Sequence, residues 1–225
     1  HSGLPGPRGN LELAQAAADC GSALQFQRWL GFSPQLAPTN TPGEFLAFCG
    51  AVGLGRLLAQ GETFWLYPLR GLASDPRWRL REAVAMALQR LGAADMPRLL
   101  AVALDWTGAG LMECRAAAAA VCEPALLKDP AHAAAVVEIL DRSTRALAET
   151  PAAERKGEGF AALRKGLGYC WSVAIAAYAE AGKAGFECWL ATGDRDVRWM
   201  LRENLKKNRL QRREAAWVQS CLERL

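Results

Sequence analysis

From Asn10 onward the apolar residues recur three and four positions apart, and no convincing run alternates apolar with polar. That periodicity predicts helices and no strands. LELAQAAADC (11–20) is expected to begin a helix that SALQFQRWL (22–30) continues or follows with another, and further helical segments are expected at roughly 44–60, 62–73, 76–91, 95–105, 110–122, 131–148, 155–181, 184–191, 195–208 and 212–224. Helix breakers fall between them at Gly61, Ser74-Asp75-Pro76, Gly92, Gly108, Pro124, Asp129-Pro130, Pro151, Gly182 and Thr192-Gly193-Asp194. GFSPQLAPTNTPG (31–43), with three prolines, reads as a long loop, and residues 1–9 as a flexible lead-in or tag remnant. The remainder, 10–225, reads as a single domain. Many helices of about 10–17 residues joined by short turns are the pattern of a helical repeat.

The chain also repeats itself in letters. DPRWRLRE (Asp75 to Glu82) and DVRWMLRE (Asp196 to Glu203) agree at six of eight positions, 121 residues apart. In the first copy Leu80, Val84, Ala87, Leu88 and Leu91 form one apolar helix face. In the second, Leu201, Leu205 and Asn208 keep the same phase. Each copy sets an Asp six residues before an Arg: Asp75 and Arg81, Asp196 and Arg202. A degenerate third copy is CRAAAAAV (114–121). A spacing of 121 accommodates three units of about 40 residues, a period typical of helical repeats.

The stretch LREAVAMAL, with an Asp six residues before its Arg, resembles the second helix of a HEAT repeat. The resemblance implies a right-handed α-solenoid of about five to six antiparallel helix pairs. It implies further that Asp75, Arg81, Asp196 and Arg202 form a structural ladder between repeats, and that the second helices line a concave face. It covers 66–92 and 186–210 best, and 99–127 weakly.

Composition adds to this picture. Ala and Leu, the best helix formers, dominate a sequence that is 51% hydrophobic. Seven cysteines without a C-x-x-C, set in apolar helical stretches, point to a reducing, cytoplasmic compartment and no disulfides. Two histidines offer no metal site, and no uninterrupted apolar run suffices to cross a membrane. The formal charge is only +4, but nine Lys and Arg face four acids between Lys183 and Arg213. Were the helix unbroken, Arg198, Arg202, Lys206, Arg209 and Arg213 would share one face. Such a stripe is either a solvated face or a polyanion contact. Eight tryptophans include the repeated pair Trp78 and Trp199, each following an Arg. They either pack over the next repeat or stack on nucleic-acid bases. Trp65, Trp171 and Trp189 are expected in the core, and Glu154 to Glu158 as a solvated charge run.

A second resemblance lies in LRKGLGYCWSVAIAAY (163–178). Lys165, Gly168 and Tyr169 are similar to the K-x-x-G-aromatic segment of the alkylpurine DNA glycosylases, the DNA alkylation repair family, itself built of HEAT-like repeats. That family releases alkylated purines using a carboxylate among aromatic residues. Its upstream Trp-Trp-Asp cluster is absent here, and Asp105, beside Trp106, is the nearest carboxylate.

The first expectation is a non-catalytic binding module, a monomer without cofactor or metal, presenting a concave and partly basic surface to a protein or to duplex DNA. Lys165, Tyr169, Arg198, Trp199, Lys206, Arg209 and Arg213 would form the nucleic-acid contact. The alternative is a glycosylase of the alkylation repair type, or an inactive DNA-binding relative, with Asp105 as its carboxylate.

Overall fold

A computed structural model describes all of residues 1–225, and the chain is all-helical, with thirteen α-helices and no strand. It forms two compact units, His1–Leu99 and Leu100–Leu225.

The first unit contains α1 (Leu11–Cys20), α2 (Ala23–Leu30), α3 (Pro42–Ala59), α4 (Leu66–Leu72) and α5 (Trp78–Ala94). Its centre is α3, which packs on α1, α2, α4 and α5. Apolar on every side, α3 is the one helix long and apolar enough to cross a membrane, and most of it is buried against its neighbours, as in a core helix. Such crowding needs small residues at the contacts. A Cβ on Gly53 would stand 2.5 Å from the Phe26 ring, and one on Gly55 2.4 Å from the Ala87 carbonyl oxygen. Caps follow the expected chemistry. Asn10, Ser22 and Thr41 accept backbone N–H bonds at the starts of α1, α2 and α3. Gly61, at φ +97°, supplies the left-handed turn just after α3. Residues 1–9 hold no helix, yet Leu4 is buried and the Gly6 carbonyl accepts from Arg79 (2.9 Å).

The helix α6 (Met96–Thr107) runs across the boundary between the units. The second unit continues with α7 (Leu111–Val121), α8 (Ala133–Glu149), α9 (Glu158–Ala177), α10 (Ala179–Glu187), α11 (Arg195–Leu205), α12 (Asn208–Arg213) and α13 (Ala215–Arg224). Its hub is α9, which packs on α7, α8, α10, α11 and α12. Trp171 of α9 is fully buried and donates to the Thr144 hydroxyl (3.0 Å). The fully buried Asn204 amide ties α11 to α9. It accepts from the Ser172 N–H (2.8 Å) and donates to the Leu167 and Met200 carbonyls (both 2.8 Å).

Several boundaries differ from the sequence reading. The segment 155–181 ends at Ala177, because Tyr178 turns into a separate helix with its hydroxyl donating to the Asp129 carbonyl (2.9 Å). Gly182 lies inside α10, where it admits the Ile175 backbone; a Cβ there would meet Ile175 Cα at 2.8 Å. The segment 195–208 breaks at Lys206-Lys207, between α11 and α12.

Gly55→Ala should destabilise the first unit by about 1–3 kcal/mol, because backbone on the far side cannot give way. Gly71→Ala, in α4 with open space around it, should instead stabilise by about 0.5–1 kcal/mol. Chemical denaturation of the two variants beside the parent chain measures both.

Candidate nucleic-acid interface on the second unit

The contact that organises this region lies between α9 and α11. Gly168 of α9 leaves room for the Trp199 ring; a Cβ there would stand 3.3 Å from the ring edge. Trp199, half-buried, is covered by the Arg164 guanidinium 3.8 Å from its ring centre. On the next column of α9, Tyr169 is 42% exposed. Arg209 of α12 lies 4.5 Å from that ring and donates to the Tyr169 hydroxyl (2.7 Å). Two aromatic–guanidinium pairs therefore stand side by side on α9, each assembled by a different neighbouring helix.

Beside them, Arg155, Phe160, Ala161, Arg164, Arg195, Asp196 and Trp199 line a cavity of about 460 Å³. Asp196 is buried and receives cations from three directions: Arg164 at 2.9 Å, Arg155 at 3.2 Å and Arg195 at 3.6 Å. Arg155 also pairs with Asp194 (2.6 Å) and donates to the Thr150 and Ala148 carbonyls (2.9 and 2.8 Å). All its reach is consumed internally, so Arg155 is a brace. Arg164 and Arg195 keep donors for a ligand. Asp194 caps α11 by accepting from the Asp196 and Val197 N–H groups (2.9 and 3.0 Å). Burial opposes its ionisation, but the Val197 N–H, Arg155 and the Asp196 N–H outweigh that and hold its pKa below the usual 3.8.

The expected contact residues separate into groups. Tyr169, Trp199 and Arg209 take part in the stacked pairs. Lys165 is exposed on α9, Arg198 half-buried on α11 and Arg213 exposed at the end of α12, none in an ion pair. Lys206 is exposed and pairs with Glu203 (2.6 Å), which draws the Glu203 pKa down. The five-cation stripe does not exist as one row, because the helix stops at Leu205 and Arg202 donates to the Leu225 carbonyl (2.6 Å). Arg155, Arg164 and Arg195 escaped the sequence reading. The first was assigned to a solvated charge run, and its carboxylate partners lie some 40 residues away in the chain. The four-residue spacing of Arg164 and Gly168, set against the aromatic at Trp199, is the one signal that could have pointed there.

The ladder residues stand in different surroundings in the two units. The Asp75 carboxylate is held by Arg77 through its backbone N–H (2.8 Å), Nε (2.9 Å) and a terminal nitrogen (2.8 Å). Arg81 donates to the Asp75 and Pro76 carbonyl oxygens (2.8 and 3.2 Å). Asp196 takes the arginines described above. Asp105 is exposed on the last turn of α6 next to the buried Trp106, and lines none of the cavities described here.

Asp194→Asn keeps a capping oxygen but removes the charge. Since the folded pKa is depressed, the ionised carboxylate stabilises the fold above its ordinary value, and that contribution is lost as pH falls below 3.8 toward the folded value. The variant should therefore melt about 2–4 °C below the parent at pH 7. Melting scans from pH 7 to pH 2 should show the difference vanish at the acid end. Set against known protein families, curated proteins and solved structures, the chain matches none.

Proposed function

We propose that the chain is a non-catalytic, HEAT-like helical-repeat binding module, and that the α9–α11–α12 face of its second unit binds the backbone of duplex DNA. The repeat reading is supported by the octet that opens a helix in each unit, with Leu80 and Leu201 fully buried. The observation that carries the nucleic-acid reading is the pair of stacked guanidiniums, Arg164 on Trp199 and Arg209 on Tyr169, on helices that also carry Lys165, Arg198 and Arg213, none in an ion pair. A guanidinium seated on a ring is already oriented, so it loses little entropy when it meets a phosphate. The alternative, a glycosylase of the alkylation repair type, would use Asp105, which is exposed beside the buried Trp106.

If three to five phosphates are neutralised, affinity should fall with a log–log salt slope of about −3 to −4.5, roughly 60- to 500-fold between about 50 and 200 mM salt. Reversing Arg198, Lys206 and Arg209 to Glu together should weaken binding of a fluorescent duplex about 100-fold or more. Reversing Arg142 and Arg145, exposed on α8, should leave it within about twofold, the circular dichroism of both variants matching the parent. Equal loss in both variants, or affinity indifferent to salt, would sink the proposal in favour of a protein partner. Release of methylated purine, abolished by Asp105→Asn, would establish the glycosylase instead.

A further inference from the structure

The first unit holds a cavity of a different character. It measures about 350 Å³, inside the range of about 300–1,000 Å³ typical of small-molecule sites. Its walls are largely apolar: Phe45 and Phe48, stacked with ring centres 6.2 Å apart, together with Met86 and Trp78. Trp78 is 47% exposed although it opens a well-packed helix. On α5 the residues Trp78, Arg79, Glu82 and Met86 all face this cavity.

The polar groups narrow the ligand. Arg79 is 94% buried (6% exposed), its guanidinium 4.4 Å from the Trp78 ring centre. It donates to Glu44 Oε2 (3.2 Å) and the Gly6 carbonyl, and its Nε–H is left without a partner. Glu44 is fully buried, and its other carboxylate oxygen likewise has none. Arg79 and Glu82 form the polar side of an otherwise largely apolar wall, which a purely apolar occupant would not use. An anion would face Glu82, and a cation would face Arg79 and the neighbouring Arg8. Of the charged residues lining the cavity, Arg79 is already paired with Glu44 outside it, and Arg8 and Glu82 offset one another, which suits a neutral guest. What fits is a planar ring that lies against Trp78, turns an acceptor toward the guanidinium and turns donors toward Glu82. A carboxylate has about four acceptor positions, so Glu82 can take two such donors beside an existing contact.

We infer that this cavity binds a neutral fused heteroaromatic carrying a 2-amino-4-oxopyrimidine edge, the edge shared by guanine and pterin. An N–H beside an amino group would pair with Glu82, the carbonyl would face Arg79, and the ring would stack on Trp78. The inference rests on the first unit alone and stands apart from the DNA-binding reading of the second.

Calorimetric titration of the full chain with guanosine, pterin and adenosine tests it. Guanosine or pterin should saturate one site, and adenosine, with its donor and acceptor edges rearranged, should bind at least about tenfold more weakly. Preference for guanosine over pterin would assign a nucleoside source, and the reverse a pterin. Glu82→Gln, at a half-buried position, should erase the discrimination against adenosine while the chain stays folded. Trp78→Leu should weaken the preferred ligand about tenfold or more. No saturable heat at millimolar ligand, equal binding of adenosine, or unchanged binding in both variants would overturn the inference.

Discussion

One buried amide governs the second unit. Asn204 satisfies a backbone donor and two backbone acceptors at the α9–α11 contact, in a place where an apolar residue would make no bond at all. A buried polar group of this kind admits few alternative registers, because sliding either helix would leave several groups unpaired. Gly168 works in the same direction by letting α11 come close. The position of Trp199, and with it the stack beneath Arg164, follows from these two residues. The candidate interface is thus a consequence of core packing expressed at the surface.

Electrostatics then sort the arginines. Converging donors hold the Asp194 carboxylate ionised, and Arg155 is spent on Asp194, on Asp196 and on two carbonyls. Arginine suits this brace because its rigid fork of five donors can meet several acceptors at once. Arg164 is shared between Asp196 and the Trp199 ring, and Lys165, Arg198, Arg209 and Arg213 are in no ion pair. Charge count alone would have treated all of them as equivalent. The functional distinction lies in which donors are already consumed.

The duplicated octet shows how one set of letters can serve two environments. In both units it buries its leucine and its tryptophan borders a cavity, but the helix register differs: α5 starts at Trp78, three residues after Asp75, whereas α11 starts at Arg195, one residue before Asp196. The partners differ. Asp75 is held within its own turn by Arg77, whereas Asp196 collects arginines from α9 and from the turn before it. Around Trp78 the neighbours are phenylalanines of α3, and around Trp199 they are charged residues. The apolar cavity and the charged one grow from the same local template under different long-range neighbours.

The sequence by itself determined the all-helical class, most helix ends and the buried face of the first octet; in the second Leu201 and Leu205 are buried as expected, but Asn208 is exposed and opens α12. What it determined depends on periodicity and capping, which are local and written within a few residues of one another. Lys165, Tyr169 and Trp199 were singled out from the sequence, and the structure places the first two on α9 and the third on α11. Arg155 and Arg164 around Asp196, the split of the basic stripe at Lys206, and the role of Gly182 as a contact in place of a break were decided only by tertiary structure. Each depends on a partner tens of residues away or on the approach of another backbone, and no local pattern encodes which distant group will arrive. Three-dimensional packing alone settled which charges were neutralised and which were left exposed.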